Sequence, residues 1–317
     1  MHDPNFFSTF EKVKTLASGS QGVTELFQDT EGNRICKKHI LNANENSPGA
    51  KICKRNLDSP YLVHLQSHYI KDDNLYIIME YCEGGSLHDF FVKRRRLSAS
   101  DTWVILVQLL KGLEYLHNQG IIHRGLKPGN VLLCSHERPL QVKICDFGIS
   151  HDVTEKTAST FIGTLGFMAP EVLASQSYGA YVDLWSLGVL LYFLAHNGTY
   201  PFENMVEILQ GDIPVSNTEF GPIISRLLVR DPNQRATVAE LLQTPKVVEV
   251  LHDFERDLAV INGNRNEISL LSNELQNSKI EAASLRTDLC FSNLLIAEQD
   301  SQITELHLIV EEQSVKL

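Results

Sequence analysis

Short runs of β-prone hydrophobic and aromatic residues, interrupted by polar ones, dominate the first 80 residues, a pattern typical of β-strands. Turn-forming sequences (D-T-E-G and K-D-D-N) separate these runs. One short helix is predicted among them, beginning near Ser47-Pro48, where serine is the N-cap and proline the first helical residue. The predicted strands cover residues 23–28, 33–40, 63–70 and 74–81.

From Ser86 onward the apolar residues recur at helical spacing. Between Thr102 and Gly120 they lie three or four residues apart, and Gly120 is a typical helix end. The apolar runs Val131–Leu133 and Val142–Cys145 predict a small β-hairpin. Further helices are predicted at Val182–His196, Glu203–Gln210, Ile223–Val229 and Val238–Leu242. A small strand-rich unit followed by a larger helical one predicts an α+β fold of two lobes.

The last part of the chain has a heptad pattern. Residues 265–317 contain neither Gly nor Pro, and all eight positions of one register are apolar, against three of seven in the other. The apolar register comprises Ile268, Leu275, Ala282, Leu289, Ile296, Ile303, Val310 and Leu317. This pattern predicts a coiled coil over 265–317; a long helix folded back onto the globular part is the alternative. Asn262-Gly263-Asn264 predicts a break, so residues 251–264 are assigned to a linker or helical extension.

Composition and charge narrow the function classes. The chain of 317 residues is 43% hydrophobic and 21% charged, which excludes wholesale disorder and collagen-like repeats. Its net charge of −11 argues against nucleic-acid binding through bulk electrostatics, and the basic run 93–96 is interpreted as a solvated helix end. Residues 251–317 carry 12 acids and 5 basic residues, a net charge of −7, so most of the acid lies in the heptad region.

The cysteines and apolar stretches indicate a compartment. Six scattered cysteines form neither a CxxC pair nor a zinc spacing, which predicts reduced thiols in a cytoplasmic protein. The first residues lack the basic and apolar regions of a signal peptide. The longest apolar stretch, Leu184 to Ala195, is too short to span a bilayer and fits a buried core helix. No membrane or nucleic-acid partner is therefore expected.

An ordered series of motifs lies between residues 123 and 235. H-R-G-L-K-P-G-N (123–130) is followed by D-F-G (146–148), G-T (163–164), A-P-E (169–171), D-L-W-S-L-G (183–188) and Arg235. This order resembles the signature set of eukaryotic protein kinases. The resemblance covers residues 10–250 and implies a two-lobed kinase-like fold, with an N-lobe at 10–79, a hinge at 80–85 and a C-lobe at 86–250. Lys127, two residues after the position of the aspartate in H-R-D, resembles the lysine of the serine/threonine branch. The G-T-L-G-F-M-A-P-E segment, together with the C-terminal heptads, most resembles the NIMA-related (NEK) kinases.

The resemblance implies roles in phosphoryl transfer from ATP with Mg²⁺. Asp146 and Asn130 match the two metal ligands, Lys127 would neutralise the γ-phosphate, and Thr164 would orient the catalytic loop. Asp183 would brace that loop, and Glu171 and Arg235 would form a buried ion pair. Arg124 would grip a phosphate on the activation segment, for which Thr157, Ser159 and Thr160 are candidates.

The nucleotide-binding residues are matched in the same way. Leu16 to Thr24 resembles the glycine-rich loop G-x-G-x-x-G-x-V, with Ala17 at the first glycine, Gly19 and Gly22 at the others and Thr24 at the valine. I-C-K-K resembles V-A-I-K and places Lys38 on the third strand, where it would face the phosphates. In the hinge, Met79 would be the gatekeeper, the backbone of Glu80 and Cys82 would meet the adenine, and Leu133 would also contact the nucleotide.

Two departures from the family pattern argue against full activity. Gly125 occupies the place of the catalytic aspartate, and loss of a positioned general base typically costs ~10²–10⁴ in rate. No carboxylate lies between His123 and Leu133 to replace it. The helix glutamate that should pair with Lys38 is replaced by Ala50. Nearby, Glu45 precedes the helix, while Lys51 and Lys54 are expected to repel Lys38.

Three hypotheses follow. The first is a NEK-like pseudokinase that binds ATP, is inactive or very weak as an enzyme, and regulates or scaffolds protein partners. It would use the kinase-like lobe and the coiled coil, which also allows a homodimer. The second is an active serine/threonine kinase with an atypical base, and the third is a nucleotide-free scaffold. The family resemblance adds an expectation of cytoskeletal association.

Overall fold

The computed structural model describes residues 9–19, 22–94, 97–134, 137–147 and 165–314. The chain divides into two compact units, one ending at Glu255 and the other beginning at Arg256. The first unit contains two sheets and a helical core, whereas the second is helical as far as Ser314. A strand-rich lobe is followed along the chain by a helical lobe, which agrees with the predicted α+β arrangement.

A five-stranded antiparallel sheet forms the smaller lobe. In the spatial order β1-β2-β3-β5-β4, its strands are β1 (Phe10–Gly19), β2 (Gly22–Asp29), β3 (Arg34–Ile40), β5 (Asn74–Glu80) and β4 (Leu65–Lys71). All except β1 lie close to the predicted ranges. β1 was not predicted as a strand, because residues 11–18 are all exposed along this edge strand and show no buried face.

The helix of the small lobe is short. α1 (Pro48–Cys53) has Ser47 at its N-cap position and Pro48 in its first turn, as predicted. The Ser47 hydroxyl makes no capping bond; it accepts a hydrogen bond from the backbone N–H of Asn44 at 2.8 Å instead. Ala50 is completely buried in α1, within the apolar cluster under the sheet.

The larger lobe is mostly helical. Its helices in the first unit are α2 (Leu87–Arg94), α3 (Ala99–Asn118), α4 (Pro170–Leu173), α5 (Tyr181–Ala195), α6 (Met205–Gln210), α7 (Gly221–Leu227) and α8 (Val238–Leu242). Ser98 and Asp101 form a capping box that starts α3. α5 is buried on nearly all sides, which matches its prediction as a core helix. No helix in the described part of the chain is both long and apolar enough to cross a membrane.

A second, three-stranded sheet joins the lobes. It contains β6 (Gly85–Ser86), β7 (Val131–Leu133) and β8 (Val142–Ile144) in that spatial order. The β7–β8 pair is the predicted hairpin. Because β6 begins at Gly85, the last residue of the hinge, its pairing with β7 brings the hinge close to the loop that carries the H-R-G-L-K-P-G-N motif.

The final helix, α9 (Pro245–Ser314), is continuous. Val247 and Phe254 are buried near its start, within the first unit. The predicted break at 262–264 was wrong: the helix continues through Gly263, whose surroundings are open. A glycine in an exposed helix costs only about 1 kcal/mol relative to alanine, which the helix-forming residues on both sides can offset. In the second unit, apolar heptad residues such as Leu275 and Leu285 are exposed, and the coiled coil stays a prediction.

Candidate functional site

The register of the large sheet aligns three of the predicted nucleotide-binding residues. Ala17 pairs with Thr24 across β1 and β2, and Thr24 pairs with Lys38 across β2 and β3. Directly paired residues present their side chains on the same face of a sheet. The loop and lysine motifs, which were matched separately in the sequence, therefore lie side by side in the fold.

Strand alternation distinguishes Lys38 from its neighbour Lys37. Lys38 is only 8% exposed, whereas the Lys37 ammonium lies 4.4 Å from the Phe27 ring centroid and 3.8 Å from the Glu25 carboxylate. Because successive side chains point to opposite faces, only one of the two lysines faces the inner side. The structure thus places the predicted residue, Lys38, on that side.

The structure shows why position 22 must be glycine, a requirement that the sequence did not reveal. Its φ is +132°, and a Cβ atom there would lie 1.7 Å from the His39 carbonyl oxygen. Any side chain would therefore collide with the backbone of β3. Gly19 pairs with Gly22 at the end of the β1–β2 hairpin, while residues 20 and 21 lie outside the described residues. The glycine at position 22 is explained by strand packing, whether or not phosphate binds.

Lys38 pairs with the aspartate of the D-F-G motif. Its Nζ lies 2.8 Å from Asp146 Oδ1, and the two side chains are 10% and 29% exposed. Asp146 adopts a positive φ of 61°, a conformation uncommon for residues other than glycine. At the position expected for the helix glutamate, α1 carries only the methyl group of Ala50. The lysine is thus held by the predicted metal ligand.

The charged residues around α1 do not act on Lys38 as expected. The Lys54 ammonium forms an ion pair with the Glu45 carboxylate, and both side chains are largely exposed. Lys51 is exposed as well. Lys54 is therefore paired locally with Glu45 instead of repelling Lys38 as expected.

Asp183 fixes the backbone of the loop that carries the first motif. Its fully buried carboxylate accepts hydrogen bonds from the backbone N–H of His123 at 2.9 Å and of Arg124 at 2.8 Å. The His117 ring nitrogen Nε2 lies 2.8 Å from the same carboxylate. The predicted bracing role of Asp183 is visible in these contacts.

His123 has a role that motif matching did not reveal. The backbone N–H of Gly125 donates to His123 Nδ1 at 3.1 Å, so the ring proton is assigned to Nε2, which lies 3.0 Å from the Cys145 carbonyl oxygen. Burial lowers the pKa of His123, against an opposing effect of Asp183, and this favours the neutral ring. The histidine thereby connects the loop to the residue before Asp146.

Gly125 is held from both sides by its backbone. His123 accepts from its N–H, and Asn130 Nδ2 donates to its carbonyl oxygen at 2.8 Å. Neither bond requires a side chain at position 125. The loop therefore keeps its hydrogen-bonded framework, yet it offers no carboxylate where the family pattern places one.

The oxygen ligands that the site offers fit a magnesium ion whose remaining ligands would come from substrate phosphate and water. Asp146 supplies a partly exposed carboxylate, and the Asn130 amide has an oxygen opposite its bonded Nδ2. Within the described ranges, no cluster of three or more His, Cys, Asp or Glu could hold a metal by itself. Mg²⁺ commonly binds through one or two carboxylates together with water and substrate phosphates, so this limited donor set suits it.

The hinge residues lie against the second sheet. Met79 is buried on β5, where it pairs with Cys36 of β3. The Glu80 carboxylate accepts from the backbone N–H of His64 at 2.6 Å and from Lys143 Nζ at 2.5 Å. Its side chain is therefore engaged in holding the hinge to β8.

Cys82 and Leu133 belong to the same junction. Both are buried, and the backbone N–H of Gly84 donates to the Leu133 carbonyl oxygen at 3.1 Å. A Cβ at Gly84 would lie 2.5 Å from Leu133 Cβ, so the hinge needs a glycine to pack this closely. Lys127 is half-buried, and Thr164 lies outside the described residues.

The structural ion pair of the large lobe is present. Arg235 contacts both carboxylate oxygens of Glu171, at 2.8 and 3.1 Å, and both side chains are almost fully buried. The Arg124 guanidinium lies 5.5 Å from the ring centroid of Tyr178. The predicted phosphate acceptors at 157, 159 and 160 lie outside the described residues.

Comparisons with known proteins agree with this architecture. The family model described as "protein kinase domain" matches residues 10–247. The chain is 32% identical over 276 residues to the serine/threonine-protein kinase cds1 of Schizosaccharomyces pombe, covering 75% of the chain and 58% of that protein. It is 32% identical over 259 residues to calcium-dependent protein kinase 29 of Arabidopsis thaliana, covering 74% of the chain and 48% of that protein. The chain thus spans about half the length of these curated relatives.

Proposed function

The chain belongs to the protein kinase family, and we propose that it is a pseudokinase of the serine/threonine type, which binds Mg-ATP and acts by contacting other proteins. The observation that carries this proposal is Gly125. Its backbone is hydrogen-bonded by His123 and Asn130, so the loop is formed without the carboxylate that would receive the substrate proton.

Phosphoryl transfer depends on positioning and on charge neutralisation. A carboxylate in the catalytic loop orients the acceptor hydroxyl and takes up its proton, and glycine can do neither. We therefore expect transfer to be slower by about 10²–10⁴ than in a kinase with the aspartate. The bracing by Asp183 and the Glu171–Arg235 pair would then maintain a folded binding module rather than a catalyst.

Nucleotide binding is supported by residues that remain. Lys38 would contact the phosphates, Asp146 and Asn130 would supply oxygen ligands, and the hinge backbone at Glu80 and Cys82 would meet the adenine. When bound, Mg²⁺ supplies charge neutralisation at the phosphate oxygens. Since Lys38 already pairs with Asp146 at 2.8 Å, binding requires both side chains to share their contacts with the incoming charges.

Two measurements on the purified chain test the proposal. The first is the shift in melting temperature with Mg-ATP; a ligand at 100 times its Kd stabilises a protein by about 2.7 kcal/mol. The second is transfer of the γ-phosphate to a generic protein substrate. We expect a shift without measurable turnover, loss of the shift in Asp146→Ala, and an unchanged shift in the control Asp257→Ala, whose aspartate is 54% exposed in the second unit.

An active serine/threonine kinase with an atypical base is the second candidate. It is favoured by the retained Lys38, Asn130 and Asp146 and by the names of the relatives, which are kinases. Turnover that disappears in Asp146→Ala would establish this candidate and exclude the pseudokinase. A melting temperature that does not change at millimolar Mg-ATP would instead support the third hypothesis, a nucleotide-free scaffold.

Restoring the base separates the two defects. We expect Gly125→Asp to leave the chain well below ordinary kinase activity, because position 50 still offers no carboxylate to Lys38. Full activity in this single variant would contradict the importance assigned to Ala50.

The heptads support a second copy of this chain as one partner. With the apolar register taken as position a of the heptad, Glu274 and Glu281 occupy position g, and Lys279 and Arg286 occupy position e. In a parallel, in-register pair, each g residue faces the e residue five positions later on the other helix. Here Glu274 would face Lys279, and Glu281 would face Arg286; all four side chains are exposed. An antiparallel pair brings g to g and e to e, where like charges meet. The charge pattern thus favours a parallel homodimer.

Affiliation and location are the remaining parts of the proposal. The G-T-L-G-F-M-A-P-E segment together with a C-terminal heptad helix supports a place among the NEK kinases. Free thiols at the five described cysteines fit a reducing, cytoplasmic setting. The resemblance to the NEK kinases is the basis for proposing cytoskeletal association. Imaging of the tagged full chain tests this location. A diffuse distribution without enrichment on cytoskeletal structures would exclude cytoskeletal association.

A further inference from the structure

A small polar cavity is lined by the segment that ends α1 (residues 53–57) and by the start of β4 (residues 65–68). None of these residues is among those assigned to the nucleotide or to the metal. The volume of the cavity is about 200 Å³, below the ~300–1,000 Å³ of pockets that take a drug-sized molecule. The space therefore suits a small ion or a single side chain of another molecule.

The charged groups of the lining are cationic. Lys54 and Arg55 carry positive charges at neutral pH, and none of the described residues that line the cavity is acidic. The carboxylate of Glu45, which is not part of the lining, pairs with the Lys54 ammonium. These two side chains are 65% and 51% exposed, and ion pairs exposed to this degree contribute little to stability. An anion in the cavity can therefore replace Glu45 as the partner of Lys54 at small cost.

Hydrogen-bond donors in the lining are still available. Arg55 donates from Nη1 to the Gln119 carbonyl oxygen at 2.7 Å, which holds the side chain in place and leaves its other guanidinium N–H groups for a ligand. The side chains of Asn56, Gln66 and Ser67 make no hydrogen bond to any residue that the structure describes. Guanidinium, amide and hydroxyl groups all donate to oxyanions, so the cavity is equipped for one.

A β-bulge brings the donors of β4 to the same place. The pairing of β4 with β5 shifts between Leu65 and Ser67, so Gln66 is an extra residue on this edge strand. In a regular strand, successive side chains point to opposite faces. A bulge redirects side chains, which explains why the consecutive residues Gln66, Ser67 and His68 all line one cavity.

We propose that this cavity binds a phosphate monoester, with Lys54 and Arg55 balancing its charge and Gln66 and Ser67 donating to its oxygens. A phosphate monoester carries about −1.5 to −2 charges at pH 7 and offers three acceptor oxygens, which matches two cations and several neutral donors. A carboxylate, with one charge and two oxygens, would leave one cation and some donors unused. The phosphate can belong to a small molecule or to a phosphorylated serine of another protein. The inference does not depend on the proposed pseudokinase function.

Calorimetric titration of the full chain tests the site with two phosphorylated probes. The first is glycerol 2-phosphate, and the second is an end-blocked pentapeptide with phosphoserine between glycines. We expect both to bind and the unphosphorylated peptide not to bind. Equal affinities would identify small phosphate monoesters as sufficient ligands, whereas tighter binding of the peptide would identify phosphorylated proteins as the source. Absence of binding by both probes would overturn the proposal.

Variants at the lining locate the binding. Lys54→Gln removes a charge and Gln66→Glu adds a carboxylate, so each should weaken binding at least about tenfold. Gln66→Lys should strengthen binding, a gain that a misfolded variant could not show. The matched control is Lys51→Gln, which removes an exposed lysine of the same helix from outside the lining and should bind as the parent does.

Lys38→Met separates this cavity from the nucleotide site. Binding of both phosphorylated probes should persist in this variant, because Lys38 is not part of the lining. Loss of binding in Lys38→Met would place the phosphate in the nucleotide site and overturn the proposal. Unchanged affinity in both Lys54→Gln and Gln66→Glu would overturn it as well, and so would an equal loss in Lys51→Gln and Lys54→Gln, which would indicate a general effect of surface charge.

Discussion

The Lys38 ammonium lies on the inner side of the small sheet, with its Nζ 2.8 Å from Asp146 Oδ1, and it pairs with this carboxylate instead of with a residue of α1. The two residues that the family uses to hold phosphate and metal therefore hold each other. A nucleotide that brought both a phosphate and a cation would replace this one lysine–carboxylate contact by two charge-paired contacts.

Replacing Lys38 is expected to remove the melting-temperature shift that Mg-ATP produces. Lys38→Met deletes the ammonium while keeping an unbranched apolar side chain at a position that is 8% exposed. The matched control is Lys37→Met, one residue away on the opposite face, where the shift should persist. Equal loss of the shift in both variants would mean that the strand, and not the inward ammonium, is responsible.

Position 50 is expected to reject the family's glutamate. Ala50 is completely buried, so Ala50→Glu places a carboxylate among apolar side chains, and an unpaired buried charge costs about 3–5 kcal/mol. The neighbouring Lys51→Glu changes an exposed residue and should alter the free energy of unfolding by no more than about 0.5 kcal/mol. Denaturant unfolding measures both. An Ala50→Glu variant as stable as the parent would show that Lys38 reaches the new carboxylate.

Stability is expected to fall below pH 6.5 because of His123. Burial lowers its pKa below the ordinary value of 6.5. As the pH falls through 6.5, the unfolded chain takes up a proton that the folded chain does not, so the free energy of unfolding decreases by at most about 1.4 kcal/mol per pH unit. The loss stops below the lowered folded-state pKa. His68, whose pKa burial also lowers, contributes with the same sign.

Unfolding measurements from pH 7.5 to 5 on the parent and on His123→Gln check this sign. The variant should have a smaller pH slope whatever its stability at pH 7.5. His88→Gln, at a residue that is 53% exposed, should keep the parent slope. A parent slope that is retained in His123→Gln would assign the acid sensitivity to other groups.

Charge reversal on α9 is expected to break and then restore self-association. Glu274→Lys with Glu281→Arg puts like charges at every proposed g–e contact, and so does Lys279→Glu with Arg286→Glu. Each double variant should dimerise at least about tenfold more weakly than the parent, because attractive pairs become repulsive. A mixture of the two double variants should form a heterodimer, measured by sedimentation. Asp257→Lys, which lies before the first heptad, is the control.

Much of the fold followed from local patterns. β-prone runs bounded by turn signals predicted β2 to β5, and helical spacing of apolar residues predicted α3 and α5 to α8. β1 was not predicted because it is an edge strand whose residues 11–18 are all exposed, so neither of its faces is marked by buried apolar residues. The break expected at Gly263 was wrong because one glycine weakens a long helix without ending it.

The site shows the same division. Motif order located Lys38, Asn130 and Asp146, and the structure brings Lys38 and Asp146 into contact. The bond from Gly125 N–H to His123 could not be predicted, because it depends on a ring orientation that no spacing encodes. The collision that requires Gly22 arises from the path of β3, which is remote in sequence.

The backbone bonds of Gly125 make this position useful for chemical substitution. His123 and Asn130 hold its N–H and its carbonyl, and neither contact uses atoms beyond the main chain of residue 125. A series of aspartate, glutamate, asparagine and histidine at this one site would compare acids, amides and imidazole as proton acceptors. The surrounding loop would serve as a constant frame, so that the protein becomes an instrument for measuring what a single catalytic side chain contributes.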